Sequence, residues 1–228
     1  MMTLVWILMI GLLLIGFVVQ GRLRSKMKKY SQYPMPGGLS GADVAKKILN
    51  DNAIYDVEIT SVQGYLTDHY NPANKTVNLS PEVYEGRSIM AASIAAHECG
   101  HAVQHAHAYA WLTMRSTLVP IVSISSRWVQ WILIGGILLL NVFPQLLLIG
   151  IVLFGFTTLF SFITLPVEFD ASRRALAWID RSGIMTSTDY AMAKDGLYWA
   201  AMTYVVAALS SLATLAYYIM LFMGGRRS

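Results

Sequence analysis

Two histidines four residues apart bracket a glutamate in the run His97-Glu98-Cys99-Gly100-His101. On a helix, positions four apart share one face about a turn apart, so both imidazoles reach the same ion. The glutamate beside the first histidine projects to a flank, where it can take a proton from a bound water without ligating. Zinc held in this way lowers the pKa of its water to about 7 and polarises a scissile carbonyl. A helix with two merely packed histidines is the bland alternative, and a glutamate in the required place argues against it. The pattern predicts zinc-assisted peptide hydrolysis, with His97 and His101 as ligands and Glu98 as general base.

A catalytic zinc site needs a third protein ligand and an open fourth position. His105 cannot supply it, because a rise of about 1.5 Å per residue puts it roughly 12 Å along the axis from His97. Gln104 and Ala108 stand where a longer histidine motif would place its breaking glycine and third histidine. His105 and His107 therefore read as polar or interfacial residues near the helix end. Glu168 is the first charge after Arg127, at the end of a long apolar run in Leu165-Pro-Val-Glu-Phe-Asp-Ala-Ser172. Two predicted membrane crossings separate it from His101 and return it to the motif's side, so it is able to complete the site; a solvated flank is the alternative. Asp170 and Ser172 are candidates to steer a ligating histidine. Asp170 could equally form a surface pair with Arg173 or Arg174.

The elements that carry these residues are predicted to be mostly membrane helices. Of 228 residues, 55% are hydrophobic and only 13% charged, against roughly 25% charged in a soluble domain. That disfavours a soluble enzyme, a disordered tail and a fibrous repeat. One cysteine excludes an intramolecular disulfide framework, and a net charge of +4 gives no nucleic-acid face. A hydrocarbon core takes about 20 apolar residues as a helix. Thr3–Gln20, Leu118–Leu140, Leu146–Leu165 and Trp199–Met223 fit, with Asn141, Pro144 and Gln145 at a hairpin tip. The first span lacks the basic lead and small-residue exit of a cleavable signal. Arg22, Arg24, Lys26, Lys28 and Lys29 follow it, which puts the next segment in the cytoplasm, although Arg226 and Arg227 would then lie outside.

The resulting organisation is a membrane helix over 1–21, a catalytic region over 22–116, a transmembrane hairpin over 117–167, a Glu-ligand helix over 168–196 and a last span over 197–228. Ser40 with Asp43 resembles a capping box for a helix through about Leu49. Tyr55–Val62 reads as a strand, Asn71-Pro-Ala-Asn74 as a turn and Lys75–Leu79 as the returning strand. Ser80 and Pro81 open a long helix predicted to continue to about Tyr109. A second helix is expected from Glu168, closing at Ser182-Gly183.

Five collinear runs carry a resemblance: Gly38-Leu-Ser-Gly-Ala-Asp-Val-Ala45, Gly64-Tyr-Leu-Thr-Asp-His-Tyr-Asn-Pro72, Val77-Asn-Leu-Ser80, Ala95-Ala-His-Glu-Cys-Gly-His-Ala-Val-Gln-His105 and Leu165–Ser172. From about residue 20 onward the chain resembles the bacterial neutral zinc metallopeptidases of the YugP type. More distantly it is similar to HtpX-type membrane proteases and CAAX prenyl endopeptidases, which place a membrane hairpin between H-E-x-x-H and a later glutamate ligand. The resemblance implies His97, His101 and Glu168 as zinc ligands and Glu98 as general base. Those distant relatives have aspartate four residues after the glutamate ligand, where Ser172 stands here.

The expected fold is mainly α and membrane-embedded, about four transmembrane helices with a zincin-like region of motif helix, small β-hairpin and Glu-ligand helix. An extended peptide would bind along an edge strand, for which Val77, Asn78 and Leu79 are the candidates. His69 would stabilise an oxyanion or be a surface histidine, and Cys99 would be a small packing residue. Arg127 would snorkel at the interface or pair inside the bundle. The leading expectation is a multi-pass endopeptidase of the bacterial cell membrane, its site facing the cytoplasm and its partners peptide or protein substrates and the bilayer. Alternatives are an intramembrane-cleaving enzyme that uses Asp195 of Asp195-Gly196 as ligand, and a non-catalytic zinc-binding scaffold or sensor.

Overall fold

The computed structural model describes residues 2–64 and 66–225. Tyr65, within the run Gly64–Pro72, and Arg226 and Arg227 lie outside the described residues. The elements follow as α1 (Met2–Tyr30), a short 3-10 turn (Pro36–Gly38), α2 (Gly41–Asp51), β1 (Glu58–Ser61), β2 (His69–Asn71), β3 (Thr76–Leu79), α3 (Pro81–Tyr84), α4 (Ile89–Ala106), α5 (Ala110–Leu138), α6 (Pro144–Ser182) and α7 (Ser187–Gly225). The protein is mainly helical, and α1, α5, α6 and α7 are each long and apolar enough to cross a membrane. The last two run further than the sequence suggests. The predicted third span and Glu-ligand helix form one continuous α6 through Pro166, and α7 begins a dozen residues before the predicted span.

The chain divides into two compact units. One comprises Met1–Val18, Thr113–Leu165 and Thr203–Ser228. Its core gathers Val129, Leu133, Leu147 and Ile151, with Leu215 and Tyr218 against them. Glycines let α5 and α6 pack closely, since a Cβ on Gly136 would lie 2.6 Å from the Leu147 Cα. Phe17, Ile124, Trp128, Trp131 and Leu138 are exposed apolar side chains, as expected of helices whose solvent is lipid. Arg127 is also on the exposed face of α5.

The other unit comprises Val19–Leu112 and Pro166–Met202, and it holds every residue of the predicted chemistry. Ser40 caps α2 as expected: its hydroxyl accepts from the Asp43 N–H at 3.1 Å, while Asp43 Oδ2 accepts from the Ser40 N–H at 2.9 Å. The hydrogen bonds to that carboxylate hold Asp43 below the usual carboxylate range. Buried residues of α2 (Val44, Ile48, Leu49), β3 (Val77, Leu79), α4 (Ala92, Ala95, Ala96, Cys99) and α6 (Ala175, Trp178, Ile179) form one core. The alanines of α4 have no side chain beyond Cβ to keep neighbours away, so this helix sits deep.

Two local expectations need correction. The predicted single helix from Ser80 breaks after α3, because Met35 N–H donates to the Arg87 carbonyl at 2.8 Å and Ile89 N–H to the Tyr33 carbonyl at 3.0 Å. Those bonds hold residues 86–88 out of helical conformation, and Ser88 then caps α4 by accepting from Ala91 N–H. The sheet has order β1-β3-β2, with β1 parallel and β2 antiparallel to β3. Val77, Asn78 and Leu79 therefore lie buried in the central strand, Val77 and Asn78 paired with both neighbours and Leu79 with β1, and offer no free edge to a peptide. The edges are β1 and β2.

Candidate metal centre

α4 supplies His97 and His101 and α6 supplies Glu168. The ligand atoms of the three all lie within 4.8 Å of one another. Glu168 Oε2 is 3.2 Å from His97 Nε2 and 3.6 Å from His101 Nε2. The rings meet edge to face, with centroids 4.9 Å apart. Glu168 is only 2% exposed and His101 7%, while His97 is partly exposed. Among the described residues, this is the group of histidine, cysteine and carboxylate side chains placed to hold a metal ion.

Close helix approach makes the grouping possible. A Cβ on Gly100 would stand 2.5 Å from the Ala171 carbonyl oxygen, so the glycine between the histidines lets α6 lie directly against α4. Any larger residue there would push the Glu168-bearing turn away from the imidazoles.

Each imidazole is held from behind. His97 Nδ1 is 3.1 Å from Ser172 Oγ, and His101 Nδ1 is 3.0 Å from Gln104 Oε1. Both Nε2 atoms thus face Glu168. Asp170 does not touch a histidine directly. It is buried, accepts from Gln104 Nε2 at 3.0 Å and is ion-paired with Arg173 and Arg174. Glu98 is buried beside the cluster but outside it, and its Oε2 accepts from the Tyr70 N–H of β2 at 3.0 Å.

The other candidates lie elsewhere. Asp195 takes hydrogen bonds from Tyr30 Oη at 2.6 Å and Lys26 Nζ at 2.7 Å and is not part of the metal-holding group. His69 is exposed, its Nδ1 2.7 Å from the Thr67 carbonyl. His105 Nδ1 lies 2.7 Å from Tyr70 Oη, and His107 Nδ1 faces Arg174. Cys99 is fully buried between α4 and α2, where burial pushes its thiol pKa up and favours an inert packing role. Burial likewise raises the Tyr70 hydroxyl to about 12. Sequence reasoning missed Gln104 and Tyr70. Gln104 falls one turn beyond His101, a spacing that was available as a signal.

Two imidazole nitrogens and one carboxylate oxygen, with a position left open, are the donor set of hydrolytic zinc. A family model described as "Putative neutral zinc metallopeptidase" matches residues 5–223, and the chain belongs to that family. It is similar to the "Putative membrane protease YugP" of Bacillus subtilis (strain 168), at 42% identity over 219 residues, 96% of each chain. No solved structure matches. Membership agrees with the membrane-capable helices and with zinc as the metal that His97, His101 and Glu168 are grouped to hold.

Proposed function

We propose that this chain is a membrane zinc endopeptidase whose ligands are His97, His101 and Glu168 and whose general base is Glu98. The observation that carries the reading is the arrival of buried Glu168, from α6, against both Nε2 atoms of the motif histidines. Zinc held by these three residues would supply a Lewis acid for the scissile carbonyl and would acidify a water molecule.

The chain's own residues do the rest. Glu98 stands next to His97 in sequence yet outside the ligand group, so its carboxylate is available for protons. With Oε2 held by the Tyr70 N–H, Oε1 is the oxygen that takes a proton from the attacking water and passes it to the leaving amine. The same bond ties β2, an edge strand, to the catalytic carboxylate. An extended peptide lying along β2 would have its backbone beside Glu98 and would compete with that carboxylate for the Tyr70 N–H, which moves the candidate substrate edge from Val77–Leu79 to His69–Asn71. The basic run after the first span, Arg22 to Lys29, favours a cytoplasmic site.

The test is cleavage of an unfolded, casein-like substrate by the full chain purified in detergent. A zinc chelator is expected to stop cleavage and added zinc to restore it. Undiminished cleavage by protein shown to be zinc-free would overturn the reading.

A further inference from the structure

Gln104 stands on α4 one turn beyond His101 and is completely buried. A buried amide is costly unless its polar atoms are paired. Here Oε1 lies 3.0 Å from His101 Nδ1, while Nε2 donates to the Val167 carbonyl at 2.8 Å and to Asp170 Oδ2 at 3.0 Å. Those two acceptors fix the amide. Turning it over would set its oxygen against a carbonyl and a carboxylate and aim its NH2 at the imidazole. With Oε1 facing His101, the ring must donate from Nδ1, which leaves the Nε2 lone pair directed at the Glu168 side.

The amide also spans the two helices that carry the site. Val167 adjoins Glu168 and Asp170 follows it by two residues, so one side chain of α4 grips the turn of α6 bearing the carboxylate. Arg173 and Arg174 pair with Asp170 and anchor it at the far end. Ser172 behind His97 differs in kind, because a hydroxyl both donates and accepts and does not by itself select a tautomer.

We propose that Gln104 is a positioning residue of the metal centre: it links Asp170 to His101, selects the Nδ1–H tautomer and sets the distance between His101 and Glu168. This rests on the zinc reading above. Outer partners of ligating histidines typically change metal affinity about 10–100-fold when removed.

The test measures zinc affinity by competition with a chromophoric chelator and the visible absorption of the cobalt(II)-substituted full chain in detergent. Gln104→Leu, which keeps the volume but not the amide, is expected to weaken zinc about 10–100-fold and to alter the cobalt bands, with helical circular dichroism unchanged. Gln104→Glu keeps an acceptor for His101 but sets a carboxylate against Asp170 and the Val167 carbonyl, and is expected to weaken zinc as well. Ser172→Ala should have the smaller effect. Wild-type zinc affinity and cobalt bands in Gln104→Leu, with only a lower melting temperature, would make Gln104 a packing residue and overturn the proposal. Should that variant not fold, Gln104→Met, close to glutamine in shape but without the amide, decides by the same two measurements, and unchanged values there overturn it. If the wild type takes up no zinc, or His101→Ala retains it, the metallopeptidase reading fails; zinc binding that ignores Gln104 sinks only this inference.

Discussion

Glu98→Gln is expected to retain its zinc and to lower kcat for peptide hydrolysis by about 10²–10⁴-fold, the range general acid–base groups contribute. Glutamine matches glutamate in shape, and its oxygen can still accept the Tyr70 N–H that Glu98 Oε2 accepts at 3.0 Å. The buried position beside His97 is therefore refilled without a void or an orphaned donor. What disappears is the ability to take a proton and return it. Because Glu98 lies outside the ligand group, metal content should not change. The check is turnover and zinc content on the same purified sample. Zinc-loaded variant that still cleaves would remove Glu98 as base, and loss of zinc would make it a ligand.

The second large effect is expected at Glu168. Glu168→Gln replaces an anionic oxygen that faces two imidazole nitrogens with a neutral amide, a poor zinc ligand. Zinc should fall to trace levels after purification, and activity with it. Asp195→Asn should keep its zinc. That carboxylate sits with Lys26 and Tyr30 and is about a third exposed, so its loss touches a contact worth roughly 0–1 kcal/mol. Elemental analysis of the two variants side by side reads the difference. Zinc lost only from Asp195→Asn would restore the intramembrane-cleaving alternative.

Much of this site is legible in the sequence because its signals are local. Histidines four apart need only a helix to converge, and Ser40 with Asp43 needs only three residues to close its cap. Long uncharged runs mark the spans by composition alone. Glu168 is legible because a carboxylate beside an apolar run demands a reason. The parts that escape depend on partners far along the chain. The break before α4 is made by residues 33–35 bonding to 87–89, across some fifty intervening residues. β3 reads locally as the return of a hairpin, yet its second neighbour is β1, joined in parallel. That pairing turns the expected edge into the centre of the sheet. Gln104 enters the sequence reading only as the residue in place of a motif glycine, because its partners on α6, the Val167 carbonyl and Asp170, lie more than sixty positions away. The boundary expected between residues 167 and 168 is no break in the helix, because α6 continues through Pro166 to carry Glu168 and Ser172.

The most direct test of the centre is X-ray absorption at the zinc K-edge on the purified, zinc-loaded chain. Nitrogen and oxygen neighbours are expected at about 2.0–2.2 Å, with the outer scattering of two imidazoles and no sulfur shell. A sulfur neighbour at about 2.3 Å would bring in Cys99, the chain's one thiol, and contradict the assignment of His97, His101 and Glu168 as the residues that hold the ion.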